Sequence, residues 1–233
     1  TDGTLQLNCS QNSHGVKIKS PAHSAGQSYT LTLPATAPAT DKMLQTNSSG
    51  VLSFVDAPSG GFTRLAGSNV TGQNLGDISF DNVFSSTYNL YYVIWRVNFT
   101  TNSSQLWLRM RDGSGFKTNS NYKFILTGEN WSETESSISS SGGDDKFRLT
   151  GGLNSADDDT GAYGYLYFYR PFNSGKVTEV VFGATEKDES YVITSRVGAG
   201  SFQNTASCTG FGFLGSNQNL EDCDITVYGV NQS

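Results

Sequence analysis

Short runs that alternate apolar and polar residues, separated by turn-forming residues, restrict the fold of this sequence more than any other feature. In 163–169 every second residue is a tyrosine, and the residues between them include Leu166 and Phe168. A period of two is typical of a β-strand with two different faces. No stretch supplies the Ala, Leu, Glu and Lys that long helices need. The sequence therefore predicts an all-β chain.

Similar runs recur through most of the chain, with polar loops between them. They lie at 89–99, 106–111, 122–126, 146–149, 163–169, 177–182, 191–196, 209–214 and 224–228. Both faces of the run 89–99 carry apolar residues, which predicts a central strand covered on both sides. Many short strands without an internal repeat predict an antiparallel two-sheet sandwich of the jelly-roll kind.

The N-terminal segment 1–57 differs from the rest because it has few apolar residues. Alternating runs predict strands at 4–9, 16–19 and 29–33, and a hairpin whose arms, 43–46 and 51–55, flank the turn 47–50. A segment of this size with so small a core needs a partner surface. We therefore expect it to anchor or oligomerise the chain.

Pro58-Ser59-Gly60-Gly61 has the composition of a linker. The expected organisation is a small N-terminal β segment at 1–57, a linker at 58–61 and a jelly-roll knob domain at 62–233.

Charge and hydrophobicity argue against two classes of partner, nucleic acids and membranes. The net charge is −6 and the pI about 4.8, whereas nucleic-acid binders usually carry a basic patch. No run of about 18 apolar residues is present, so we expect neither nucleic-acid binding nor membrane insertion.

Three cysteines, Cys9, Cys208 and Cys223, are too few for a disulfide framework. Cys208 and Cys223 are close enough in sequence for a bridge between neighbouring strands. The odd count favours the alternative, buried free thiols.

The polar residues do not predict catalysis. The two histidines, His14 and His23, have polar neighbours and are expected at an exposed or interface position, where a metal-binding or stacking role on an oligomer axis is an alternative. A glycosidase needs two carboxylates that face each other across a sugar. The acidic clusters at 144–145, 157–159 and 186–189 lie in polar contexts typical of surface loops. We therefore expect no enzyme and no cofactor.

Calcium is the one metal with candidate ligands, Asp157, Asp158 and Asp159, which supply hard oxygen atoms next to Asn154. Their spacing does not match a calcium-binding loop, so a solvated acidic turn is the preferred interpretation.

Aromatic residues are the best candidates for binding. A stripe that includes Tyr163, Tyr165 and Tyr167 could form a sugar platform, because pyranose rings pack on aromatic faces. The alternative is that both strand faces are packed within the sandwich or against another subunit. Trp131, in the polar loop 128–133, has no strand pattern to bury it and is a candidate for glycan or partner contact.

Two stretches resemble structural proteins of tailed-phage virions, above all those of marine and cyanobacterial phages. In 3–55, Leu31-Thr32-Leu33-Pro34 and Gly50-Val51-Leu52-Ser53-Phe54 resemble strands near the start of tail-fibre chains. More loosely, 62–233 resembles the C-terminal jelly-roll knob of such proteins. Its closing strand, Ile225-Thr226-Val227-Tyr228-Gly229, follows Cys223-Asp224 where Gly-Thr is common in the family.

The resemblance implies a fibre-like or decorative protein located in the virion, with no catalytic residues to carry over. We expect a homotrimeric tail-fibre knob that contacts other virion proteins and adheres to a glycan or outer-membrane component of the host. A capsid decoration protein that stabilises the shell is the alternative, and a depolymerase is the least favoured.

Overall fold

The structure is a computed structural model, which describes residues 3–12, 14–56, 61–101, 104–130, 135–153, 161–187 and 192–231. It divides into two compact units, Thr1–Pro58 and Ser59–Ser233. The predicted linker Pro58–Gly61 lies outside the described residues except for Gly61.

The first unit contains two separate antiparallel hairpins. One pairs β1 (Thr4–Asn8) with β2 (Gly15–Lys19), and the other pairs β3 (Met43–Thr46) with β4 (Leu52–Val55). A single 3-10 turn, His23–Ala25, lies between the hairpins. The predicted hairpin around the turn 47–50 is confirmed.

The turn between β3 and β4 is held by the side chain of Asn47. Its Oδ1 accepts hydrogen bonds from the backbone N–H of Ser49 at 2.9 Å and of Val51 at 3.0 Å. Gly50 has φ +77°, a left-handed conformation that glycine adopts without steric cost.

The predicted strand at 29–33 is wrong. Thr32 alone pairs, in an isolated bridge to Val51, and Tyr29 and Leu33 are exposed. Pro34 has no N–H to continue the ladder, so the alternating pattern is not extended by pairing.

No described residue of the first unit is buried. Its larger apolar side chains lie at the surface of the unit: Leu5, Leu7, Val16, Ile18, Tyr29, Leu31, Leu33, Met43, Leu44, Val51 and Phe54. The hairpins are thus held by backbone pairing and turn hydrogen bonds, without a hydrophobic interior of their own.

The second unit contains two antiparallel sheets. The large sheet has the order β11-β10-β15-β14-β13-β7-β17-β5 and the small one the order β12-β8-β16-β6, with β9 paired to β8. The strands are β5 (Phe62–Val70), β6 (Asp77–Phe80), β7 (Leu90–Phe99), β8 (Leu106–Asp112), β9 (Gly115–Phe116), β10 (Tyr122–Asn130), β11 (Glu135–Asp144), β12 (Phe147–Arg148), β13 (Ala162–Tyr169), β14 (Thr178–Lys187), β15 (Ile193–Phe202), β16 (Gly210–Gly215) and β17 (Leu220–Val230).

Rings from the two sheets meet in one hydrophobic core. Phe168 of the large sheet lies 4.9 Å from Phe211 of the small sheet, measured between ring centroids, and Trp95 lies 6.0 Å from Phe213. These packed inner faces make the unit a β-sandwich, as the alternating pattern predicts.

Every strand run predicted in 89–228 overlaps an observed strand. The runs that were missed include β5 and β11, which form the two edges of the large sheet. Edge strands are often polar, and the Ser-rich sequence of β11 has no apolar alternation to reveal it.

Strand β7 corrects one prediction. It is central, between β13 and β17, but it is not covered on both sides. Tyr91 and Val93 are fully buried, whereas Ile94 on the opposite face is 44% exposed. The small sheet packs against only one face of the large sheet, which leaves the other face open within this unit.

Cys208 and Cys223 are buried free thiols, which decides between the two alternatives for them. Burial raises the pKa of each thiol to about 12. Neither is therefore a reactive thiolate near neutral pH.

No helix among the described residues has the length and hydrophobicity to cross a membrane.

Candidate functional site

The open face of the large sheet carries the tyrosines of β13. Tyr163 is 48% exposed and Tyr165 and Tyr169 are each 37% exposed, whereas Leu166 and Phe168 on the opposite face are fully buried. The predicted division of this strand into two faces is confirmed. The alternative that both faces are packed within the sandwich is wrong, because these tyrosines are exposed and no second layer among the described residues of this unit covers them.

The strand register extends this stripe across the sheet. Tyr167 pairs with Tyr92 on β7, which pairs with Tyr228 on β17. The ring of Tyr92 is stacked 4.8 Å from that of Tyr167 and 6.3 Å from that of Tyr228. Phe62 on β5 closes the row, 5.6 Å from Tyr92 and 6.0 Å from Tyr228.

Tyr165 is held at the other end of this row. Its ring lies 5.8 Å from Tyr167 in an edge contact and covers Gly183 on the neighbouring strand β14. A Cβ atom at Gly183 would lie 2.6 Å from a carbon of the Tyr165 ring. The glycine thus lets the ring lie against the sheet. We call Phe62, Tyr228, Tyr92, Tyr167 and Tyr165 the aromatic ladder.

Exposed aliphatic residues continue the open face beyond the ladder. Val181, Val197 and Ile125, from β14, β15 and β10, are each about half exposed. Together with the ladder they make an apolar band across seven strands. A contiguous exposed apolar surface of this kind usually marks the site where a protein binds a partner or a ligand.

Polar groups flank the ladder in two shallow depressions. One, of about 360 Å³, is lined by Arg64, Asn69, Arg96 and Asp224 beside Ile94. The other, of about 140 Å³, lies on the β14 side of Tyr163 and Tyr165, next to Thr185 and Ser195. These side chains offer hydrogen-bond donors and acceptors along an apolar platform.

The phenol groups themselves are available to a ligand. Within the described part of the chain, the hydroxyls of the ladder tyrosines and of Tyr163 and Tyr169 make no hydrogen bond to another protein group. Burial, with smaller contributions from Tyr167 and other neighbouring tyrosines, raises the pKa of Tyr92. That hydroxyl is therefore protonated at neutral pH and can both donate and accept.

Of the residues predicted to bind, the structure brings Tyr163, Tyr165 and Tyr167 together on one surface. The other candidates, Trp131 and Asp157–Asp159, lie outside the described residues. Sequence reasoning missed Phe62, Tyr92 and Tyr228 because they lie on three other strands. Each belongs to the outward set of its strand, but only the register places the three beside Tyr167.

Two acidic clusters predicted to lie in surface loops each contain a residue that lies in a strand and is ion-paired. Asp144, at the end of β11, lies 2.8 Å from Lys146 Nζ and 3.0 Å from Arg148 Nη2. Glu186 lies within β14, is 2% exposed and lies 2.5 Å from Arg196 Nε.

The loop prediction is wrong for Asp144 and Glu186, which lie in strands, because their cationic partners follow from strand and hairpin pairing that the local polar sequence does not reveal. Asp145 lies in the bend between β11 and β12, and Asp188 and Glu189 lie outside the described residues.

The remaining candidates are dispersed. His14 and His23 are both exposed in the first unit, each in a different segment. Among the described residues, no three His, Cys, Asp or Glu side chains come together in a way that could hold a metal ion.

Comparison of the chain with protein-family models, with curated proteins and with solved structures finds no match. The aromatic ladder is therefore interpreted on its own geometry.

Proposed function

We propose that the second unit is a glycan-binding adhesion domain and that the aromatic ladder is its binding face. The observation that carries the proposal is a row of five exposed or half-exposed rings on one open sheet face, flanked by polar side chains. A soluble domain rarely leaves such an aromatic row open without a partner.

The chemistry of this surface suits a sugar chain better than a protein partner. Pyranose rings have apolar faces that pack on aromatic rings, and their hydroxyls find phenol, amide and guanidinium groups at the edge. The ladder crosses four adjacent strands about 4.8 Å apart, so it extends over about 14 Å. That length suits an oligosaccharide rather than a single sugar.

The wider proposal is that the chain is a structural protein of a phage virion, with the second unit as a receptor-binding, jelly-roll knob of a homotrimeric tail fibre. The resemblance of 3–55 and of the closing strand to such proteins supports it. A glycan or an outer-membrane component of the host would be the receptor. Three copies acting together would strengthen weak individual contacts by about a hundredfold or more.

One observation also favours the alternative, a capsid decoration protein. The first unit exposes nearly all of its larger apolar side chains and has no described buried residue. A surface of this kind is expected to be covered by another chain, and capsid subunits would serve as well as a fibre does.

The experiment is a titration of the whole chain with host surface oligosaccharides, found first on a glycan array and then measured by calorimetry. Tyr167→Ala should weaken binding about tenfold, which corresponds to about 1.4 kcal/mol, because it removes one of the three stacked rings of the ladder. Tyr29→Ala, at an exposed tyrosine of the first unit, is the matched control and should leave the affinity unchanged.

Absence of glycan binding, or equal losses in both variants, would overturn the adhesion proposal. Stoichiometric binding to capsids without glycan binding would favour decoration. The same incubation tests the expectation of a non-enzyme: new reducing ends in the polysaccharide would show that the chain cleaves its ligand.

A further inference from the structure

A polar cavity lies at the end of β13, where the tyrosine stripe ends. Its volume is about 310 Å³. Its lining combines Arg170 with two asparagines and four serines, and Tyr88 and Phe172 supply the apolar part. None of these lining residues is acidic, although the chain as a whole has a net charge of −6. Arg170 is therefore the one charged residue of the lining, and the polar residues around it offer hydroxyl and amide groups.

Arg170 has an unusual backbone conformation at the mouth of this cavity. Its φ is +56°, in the left-handed region that non-glycine residues seldom occupy. Hydrogen bonds hold it there, from its own N–H to Asn89 O at 2.7 Å and from Asn173 N–H to Arg170 O at 3.2 Å. Such strain is found disproportionately at functional sites.

The guanidinium of Arg170 has donor capacity to spare. Its Nε is buried and has no hydrogen-bond partner, while Nη2 lies 3.4 Å from the half-exposed Glu179. Its Cζ lies 4.6 Å from the centre of the Tyr169 ring. The arginine is thus oriented by an aromatic face of the stripe, and an unsatisfied buried donor of this type favours an anionic acceptor.

The walls of the cavity are fixed by hydrogen bonds. Buried Tyr91 accepts one from Ser85 N–H at 2.8 Å and donates one to Ser85 O at 2.9 Å. On the other side, Cys208 N–H donates to Pro171 O at 2.9 Å. The cavity is therefore largely formed before any ligand binds, which lowers the entropic cost of binding.

We propose that this cavity is a carboxylate subsite, and that the glycan bound by the ladder is acidic. The inference rests on the proposed function. A carboxylate on a terminal or branching sugar would accept hydrogen bonds from Arg170 and from the neighbouring serine and asparagine groups. The sugar rings would then follow Tyr169 and Tyr167 onto the ladder, since these two side chains are neighbours on the same strand face.

The test compares a uronate-containing oligosaccharide with the same oligosaccharide after chemical reduction of its carboxyl groups. The wild-type chain should bind the acidic form about tenfold more tightly. Arg170→Gly should abolish that preference and leave the affinity for the reduced form unchanged. Glycine suits a φ of +56°, so this variant should fold with unchanged or raised thermal stability.

Two further variants sharpen the result. Glu179→Gln removes the competing carboxylate and should raise the affinity for the acidic form two- to threefold. Lys123→Gln removes an exposed charge from the same face of the sheet, far along the strand order from β13, and should change neither affinity. A sulfated oligosaccharide that binds as tightly as the uronate form would contradict a site selective for carboxylate.

The inference fails if Arg170→Gly keeps the preference, or if it weakens both oligosaccharides equally. If neither oligosaccharide binds, the proposed function fails. The subsite is then tested separately with free glucuronate. A shift of the Arg170 Nε–H resonance with glucuronate but not with glucose would support the subsite, and an unchanged resonance would overturn it.

Discussion

The two faces of the large sheet use aromatic residues in different ways. On the inner face, Phe168 and Phe182 are buried against the small sheet and are fixed by packing from all sides. On the outer face, Tyr167 and its neighbours stack on each other but leave much of their area and their hydroxyls open. Consecutive residues of one strand thus belong to two environments.

The difference separates folding from binding in this unit. The inner rings stabilise the sandwich by leaving water, at about 25 cal/mol per Å² of apolar area. The outer tyrosines gain less from burial in the free protein, since roughly a third to half of the area of several of them stays accessible. Substitutions on the outer face should therefore change recognition with little effect on the fold.

The largest difference between the two faces is expected when adjacent residues of β13 are replaced by alanine, one at a time. Phe168→Ala should lower the free energy of unfolding by about 3–5 kcal/mol, because it leaves a cavity beneath the small sheet. Tyr167→Ala should cost about 1 kcal/mol or less. Urea unfolding followed by circular dichroism measures both, and equal losses would show that the outer ladder is a structural layer.

Two glutamates of β14, one buried and one on the open face, should differ in the same direction, with a smaller effect on the free energy of unfolding. The buried carboxylate of Glu186 also accepts a hydrogen bond from Gly151 N–H at 2.8 Å, so Glu186→Gln should cost about 3 kcal/mol by leaving the Arg196 charge poorly compensated. Glu179→Gln on the open face should cost less than about 0.5 kcal/mol. Thermal unfolding of the two variants side by side checks the ratio.

The outer face of the small sheet differs again, because its rings are covered by cations: Lys146 Nζ lies 4.4 Å from the centre of the Trp107 ring, and Arg111 Cζ lies 4.3 Å from that of Phe116. Ion pairs connect the same cations to nearby carboxylates. Burial raises the pKa of Asp145, but the hydrogen bond from Lys146 and the charges of Arg109 and Lys146 outweigh it and lower the pKa to about 2. A lowered pKa in the folded state stabilises the fold above the unfolded value near 3.8, and this contribution is lost as the pH falls towards 2.

The smallest predicted effect follows from this carboxyl group. Between pH 5 and pH 2, wild type should lose about 1–2 kcal/mol more stability than Asp145→Asn, after allowance for solvent screening at a partly exposed site. Denaturant unfolding at several pH values measures the difference. Parallel curves for the two proteins would mean that the ion pairs of Asp145 do not stabilise the fold.

Local pattern was sufficient where one strand decides the outcome. Alternation in 163–169 predicted which side chains of β13 share a face, and Asn47 with Gly50 predicted the β3–β4 hairpin. It was insufficient where the outcome depends on a neighbour. For β7, apolar residues on both faces suggested two covering layers, whereas the structure has one. For Glu186, polar flanking residues suggested a loop, whereas a cation on β15 allows burial within a strand.

By itself, the sequence determined that this chain is all-β, which strand faces are aromatic, and that its cysteines form no framework. These properties follow from period and composition, which act over a few consecutive residues. Tertiary structure alone decided that Phe62, Tyr228, Tyr92 and Tyr167 form one row, and that Arg170 lies over a polar cavity. Register and sheet order join positions far apart in the chain, and no local pattern contains that information.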